Sequence, residues 1–225
     1  MTINNYIEYK SYLTEHELKH APESMDYHGD FSLIYTGKRI SVVGSRKVTP
    51  EISLRTSILI RKLIKKGIII VSTLNEGVDT IAHKSAIIEK GKTIIITDNP
   101  VNQDDNKASK SLSKPVKNEF LNVFVSSLNY LSEPLSSDII NHTRALISDA
   151  IIIVEASEKS IVVHLVWEAL RLGRTVLVLE SLIAGNKVSW VEEILNYGAQ
   201  VLNKNNFDAI IDDIPFLTAK LDYDF

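Results

Sequence analysis

From residue 40 onward, short apolar runs alternate with longer amphipathic stretches. The runs are Ile40–Val43, Ile68–Val71, Thr93–Ile96, Ile151–Val154 and Thr175–Leu179. Their apolar residues are continuous rather than alternating, as in strands covered on both faces. Between the first two runs, Glu51–Lys66 carries Ile52, Ile58, Leu59 and Leu63 on one helical stripe and ends at Gly67. Between the second and third, Val78–Lys90 carries Val78, Ile81, Ala82 and Ile88 and stops at Gly91. This alternation predicts an α/β fold with a doubly wound, mostly parallel sheet in three layers. In such a sheet a ligand lies at the carboxyl ends of the strands, so the residues just after each run carry the functional information.

Two segments break the rhythm. Residues 1–37 read as a helix from Tyr6 to Lys19 and then an extended lead-in punctuated by Pro22, Gly29 and Gly37. Residues 98–117 are polar, contain Pro100 and Pro115, and carry Lys107, Lys110, Lys114 and Lys117. A connection that long is expected to be functional or mobile. The expected division is a lead-in over 1–37, an α/β domain over 38–205, and a tail over 206–225 packed on it through Ile210, Ile211, Ile214 and Phe216.

Charge and composition narrow the chemistry. The 225 residues hold 28 acids and 25 bases, a net charge of −3, so any nucleic-acid site has to be a local patch rather than a global field. With no cysteine there is no disulfide, zinc-thiolate site or thiol nucleophile. The first 20 residues lack the apolar core of a secretion signal, and no apolar run approaches the roughly 20 residues of a spanning helix. The expectation is a soluble cytoplasmic protein without a membrane partner.

At the strand ends, Gly44-Ser45-Arg46-Lys47 follows the first run. A glycine turn with a hydroxyl, a guanidinium and amides at a helix N-terminus makes an anion site. The same residues also suit a plain turn followed by solvated bases. After the second run come Ser72, Gly77, Asp79 and His83. Gly77 allows a tight turn, while a capping Asp79 and a half-buried His83 suit scaffold roles. After the fourth run, Glu155-Ala156-Ser157-Glu158-Lys159-Ser160 has no glycine, and its two glutamates oppose phosphate. Arg144, with Asn141 and His142 within a turn of it, points to the same crevice.

Taken in order, these residues resemble the DprA/Smf family over about Pro22 to Leu202. Ser32-Leu33-Ile34-Tyr35-Thr36-Gly37 is similar to its lead-in segment, and Val42-Val43-Gly44-Ser45-Arg46-Lys47 to its first signature. The stretch from Val71 to Asp79, followed by Ala82-His83, is similar to its second, with Thr73 where the family usually has glycine. Leu131-Ser132-Glu133-Pro134, Ser148-Asp149-Ala150, Val154-Glu155-Ala156, Gly173-Arg174 and Gly198-Ala199 follow in the family's order. The chain departs from it at Asn141-His142-Arg144, one base short of an Arg-Asn-Arg cluster, and at Ser160-Ile161-Val162, where the family has a Ser-Gly loop.

The resemblance implies a Rossmann-like domain, without catalytic activity or cofactor, that binds single-stranded DNA in DNA processing, recombination and transformation. It further implies a RecA-type recombinase as partner and a homodimer, here through Trp190, Ile194 and Leu195. The implied phosphate-binding residues are Gly44, Ser45, Arg46, Lys47, Ser72, Gly77, His142 and Arg144, with Lys107, Lys110 and Lys114 as a loop clamp. Tyr35, Tyr130 and Trp167 are candidates for base stacking. Two other readings stay open: a sensor of a nucleotide-derived ligand in the same crevice, and a ligand-less protein-interaction module. A phosphoribohydrolase of the same superfamily is disfavoured, because its Pro-Gly-Gly-x-Gly-Thr loop does not occur here. His16-Glu17-Leu18-Lys19-His20 satisfies the H-E-x-x-H zinc pattern. Pro22 stops the helix too early and Lys19 repels a cation, so no metal is expected, and solvated helix charges account for the segment.

Overall fold

The computed structural model of the chain describes residues 8–19, 21–22, 24–97, 120–126, 137–185 and 188–218. Lys107, Lys110, Lys114, Tyr130 and the Ser-Glu-x-Pro segment lie outside these residues. The described strands are β1 (Ser24–Gly29), β2 (Arg39–Val43), β3 (Ile69–Ser72), β4 (Thr93–Thr97), β5 (Phe120–Ser126), β6 (Ala150–Ile153), β7 (Thr175–Leu179) and β8 (Gln200–Leu202). They form one eight-stranded sheet in the order β1-β5-β4-β3-β2-β6-β7-β8. All neighbours pair in parallel except β1, which runs antiparallel to β5 at the edge. The predicted doubly wound α/β sheet is therefore present, extended beyond the five apolar runs by β1, β5 and β8.

The named helices are α1 (Glu15–Leu18), α2 (Pro50–Lys65), α3 (Val78–Ile88), α4 (Ser137–Ile147), α5 (Val162–Arg171), α6 (Glu180–Gly185), α7 (Ser189–Asn196) and α8 (Phe207–Asp213). Successive strand residues face opposite sides, which explains why the runs are apolar throughout. Val43, Ile151, Ile153 and Val178 pack against α4, α5 and α7. Val42, Ile70, Ile152 and Leu177 pack against α2, α3 and α8. Among the described residues, no helix is long and apolar enough to cross a membrane.

The expected helix from Tyr6 to Lys19 is interrupted. Residues 11–14 leave helical geometry, and α1 starts afresh behind Thr14. Thr14 and Glu17 form a capping box: Glu17 N–H donates to the Thr14 hydroxyl, and Thr14 N–H donates to the Glu17 carboxylate at 2.7 Å. Nor is the segment merely solvated charge, since Glu17 is buried against Arg174 of the α5–β7 turn. Burial alone would raise its pKa, but the Thr14 amide and the Arg174 guanidinium hold it below the usual carboxylate range. Glu17 is therefore a structural anchor committed to these partners. His16 is exposed, and His20 lies outside the described residues.

A second buried pair closes the same amino-terminal edge of the sheet. Arg39 at the start of β2 and Asp149 just before β6 are 1% and 0% exposed and meet at 2.7 Å. Asp149 also accepts the Leu217 N–H at 2.9 Å, and the Thr218 hydroxyl donates to the Ile34 carbonyl at 2.8 Å. Phe207, Ile211 and Ile214 join the core beside Leu177 and Leu202.

Candidate functional site

From β2 the chain winds outward through β3 and β4 to β5, then returns to β6 on the other flank and winds outward again. The carboxyl ends of β2 and β6 therefore border the switch point where doubly wound sheets bind ligands. A cleft of about 480 Å³ opens there. One wall is Gly44, Ser45, Arg46 and Lys47, and the other is Ser157, Lys159, Ser160 and the first turn of α5. Asn75, Asp79, Asn141 and Arg144 line it between them.

The first wall is shaped by two close approaches. A Cβ on Gly44 would stand 2.6 Å from a Val78 methyl, and one on Gly77 would stand 2.2 Å from the Ser45 carbonyl oxygen. Gly77 also has φ +82°, a conformation L side chains rarely adopt. The Val78 N–H donates to the Ser45 carbonyl at 3.2 Å. The two glycines thus let the β2–α2 and β3–α3 loops lie against each other. Helix α2 begins only at Pro50, behind Thr49, whose hydroxyl accepts the Ile52 N–H at 3.3 Å. Ser45, Arg46 and Lys47 therefore stand on a loop rather than at the helix N-terminus that the sequence suggests. Arg46 and Lys47 are exposed and make no ion pair among the described residues.

The floor is neutralised. Arg144 is buried and donates through Nε to the Ser41 hydroxyl at 2.6 Å. Its Nη2 reaches the Val42 carbonyl at 2.8 Å, the Ser72 hydroxyl at 2.7 Å and Asp79 Oδ1 at 3.2 Å. Asp79, in the first turn of α3, also accepts the Thr73 hydroxyl. Ser72 is fully buried and donates to the Val42 carbonyl. Arg144 and Ser72 therefore brace β2, β3 and α3 beneath the cleft. His142 turns aside to Glu168 of α5, with its Nδ1 2.6 Å from the carboxylate. Of the residues expected to hold phosphate, the structure gathers Gly44, Ser45, Arg46, Lys47 and Arg144 at the cleft, sets Gly77 and Ser72 behind it, and leaves His142 between helices.

His83 belongs to the same scaffold. Its Nε2 lies 3.1 Å from the Thr73 carbonyl, which can only accept, so the proton of the neutral ring sits there, while Nδ1 lies 2.6 Å from the Thr93 hydroxyl, which also has the Ile70 carbonyl within reach at 3.0 Å. Burial pushes its pKa down to about 4 from 6.5. The unfolded chain thus takes up a proton that the folded one refuses, and stability falls as pH drops from 6.5 to 4. The expected loss is about 3 kcal/mol, at about 1.4 kcal/mol per pH unit. Urea unfolding across that range should show this slope in the parent and a flatter one in His83→Gln; equal slopes would contradict the assignment.

The second wall corrects the sequence-based view of the β6–α5 loop. Glu158 does not face the cleft. It accepts the Ser189 N–H at 2.9 Å and the Ser189 hydroxyl at the start of α7, and these bonds lower its pKa. Glu155 is also absent from the lining, whereas Lys159 is in it, exposed and without an ion pair among the described residues. Attention to the two acids hid the lysine, although it follows β6 as Arg46 follows β2. The aromatic candidates lie elsewhere: Tyr35 packs on Tyr12 and Phe31, and Trp167 meets Tyr197 edge-on at 5.0 Å. Trp190 and Ile194, considered for a dimer face, are buried in the core.

The description "DNA recombination-mediator protein A" belongs to a family model that matches residues 2–215. The chain belongs to that family. Its members are DNA-binding recombination mediators rather than enzymes. The chain is 22% identical to DNA processing protein DprA of Bacillus subtilis over 77% of its own length and 59% of the relative's. It is 26% identical to the Streptococcus pneumoniae protein of that name over 83% of its length and 65% of the relative's. It thus spans about three fifths of these relatives. The fold is also that of DNA processing protein A from Helicobacter pylori, a structure described for its single-stranded DNA binding mode. The TM-score is 0.71 at 23% identity, covering 86% of this chain and 89% of that one.

Proposed function

We propose that the cleft at the β2–β6 switch point binds single-stranded DNA through its phosphates, and that the chain acts in DNA processing as a recombination mediator. One observation carries the reading: Arg46 and Lys47 on one wall and Lys159 on the other are exposed and make no ion pair among the described residues, over a floor where Arg144 and Asp79 cancel. In a chain of net charge −3, that is a local cationic clamp. Family membership and the likeness to the Helicobacter pylori protein support single strands as the ligand. Loading of a RecA-type recombinase, a role in transformation, a homodimer and a cytoplasmic setting extend the proposal through the same family. A volume of about 480 Å³ also suits a nucleotide-derived small ligand, which is the second reading.

Fluorescence anisotropy of labelled oligothymidine, compared with duplex DNA over a salt series, tests the proposal. Saturable binding that falls with salt is expected. Arg46→Ala should weaken it on the order of 10- to 100-fold, as for a missing charge-assisted bond. The salt slope should shrink by about 0.7 for each phosphate that is no longer neutralised. Absence of binding at low salt, or an unchanged slope in Arg46→Ala, would remove single-stranded DNA from this cleft. Nucleotides would then be tested there by thermal shift.

A further inference from the structure

A second concavity lies at the carboxyl ends of β7 and β8, between α2 and α8, and shares no lining residue with the cleft. Its floor is apolar, built from Leu59, Leu179, Leu202 and Phe207, and its volume is about 220 Å³. That is below the roughly 300–1,000 Å³ of small-molecule sites and suits a single large side chain. The apolar surface continues outward along α2, where Ile58 is 44% and Leu54 is 62% exposed.

The rim is cationic. Lys62 stands 5.0 Å over the Phe207 ring, and Lys204 faces it from the β8–α8 turn without an ion pair among the described residues. Among the described residues Arg55 pairs with Glu51 alone, which is 79% exposed, a pairing of little strength in water. Glu180 is the single acid in the lining.

An apolar floor for one side chain and three cations around it together define a complementary ligand. We infer that this groove docks an acidic peptide segment of a partner protein, with one large apolar side chain in the floor and its flanking carboxylates on Lys62, Lys204 and Arg55. Recognition of an acidic motif by clustered cations around an anchoring pocket is a recurrent mode. A nucleic-acid strand fits less well, because Phe207 is buried beneath Lys62 and the floor offers no exposed ring face for a base.

The test uses the full chain and a fluorescein-labelled peptide, Asp-Asp-Asp-Leu-Phe, followed by anisotropy. Saturable binding is expected, with a Kd in the range of about 10–100 µM for so short a segment. Lys62→Glu with Lys204→Glu should weaken it by about tenfold or more. Ile58→Asp, a change at an exposed position, should also weaken it, while the thermal midpoint and oligothymidine binding stay at the parent values. The inference is overturned by no binding at millimolar protein, by equal binding of Asp-Asp-Asp-Ser-Ser, or by indifference to the charge reversals. Competition by oligothymidine that the reversals abolish would make the groove a nucleic-acid surface instead. A self-association abolished in Lys62→Glu, with no peptide binding, would make it a contact between copies.

Discussion

Replacing Asp149 with alanine is expected to cost about 3–5 kcal/mol, out of the roughly 5–15 kcal/mol that holds such a domain folded. The carboxylate collects four N–H donors: the Arg39 backbone amide at 2.7 Å, Arg39 Nε at 3.0 Å, Arg39 Nη2 at 2.7 Å and the Leu217 amide at 2.9 Å. Both side chains are out of contact with water, so alanine leaves the guanidinium buried with only the Ile34 carbonyl as acceptor, at 2.7 Å. Urea unfolding should show a lower midpoint at unchanged slope, with the 214–218 segment losing its tie to the strands. The double change Arg39→Met with Asp149→Leu should recover part of the loss, since removing a whole buried pair costs less than breaking it. Recovery remains incomplete because the amides of residues 39 and 217 still lack an acceptor. A single variant as stable as the parent would show that the pair is not what joins β2 to β6 at this edge.

The second large effect is at Arg144. Arg144→Met should destabilise the fold by about 3–5 kcal/mol, because Asp79 is then a buried charge whose remaining support is the Thr73 hydroxyl. The Ser41 and Ser72 hydroxyls and the Val42 carbonyl lose the same donor. The consequence for binding follows from its position under the loop that carries Arg46. At a temperature where the variant remains folded, oligothymidine affinity should fall while the salt slope keeps its parent value, because every phosphate keeps its cation. In Arg46→Ala both fall. A reduced slope in Arg144→Met would instead place that guanidinium on a phosphate.

Most of the architecture was legible in the sequence because parallel central strands are covered on both faces and so appear as apolar runs. β2, β3, β4, β6 and β7 lie within a residue of those runs. β1 was not legible: Ser24, Asp26 and His28 interrupt its apolar residues, as an antiparallel edge strand permits. β5 alternates Leu121, Val123 and Val125 with other residues just beyond a polar, lysine-rich stretch that reads as loop, and β8 has three residues. At the site, the rule of strand ends led to Gly44-Ser45-Arg46-Lys47, which line the cleft. It did not show the packing role of the glycines: Gly77 makes the expected tight turn but also lies against the Ser45 carbonyl, and Gly44 lies against the Val78 methyl at the start of α3. Long-range partners also hid Glu17, whose fate depends on Arg174, and Glu158, whose carboxylate is drawn away by Ser189 at the start of α7.

The packing of Gly77 against the Ser45–Arg46 backbone has an energetic corollary for any ligand of the cleft. A phosphate-binding loop that is loose in the free protein must be ordered on binding, and each residue fixed subtracts from affinity. Here the neighbouring turn already props the backbone of residues 44–46, so the freedom left to lose is mainly in the side chains of Arg46, Lys47 and Lys159. At about 0.5–1.5 kcal/mol for each immobilised long side chain, the entropic toll is a few kcal/mol and falls on side chains alone. The wall therefore behaves as a rigid comb with flexible teeth, able to follow an irregular, unpaired backbone without refolding itself.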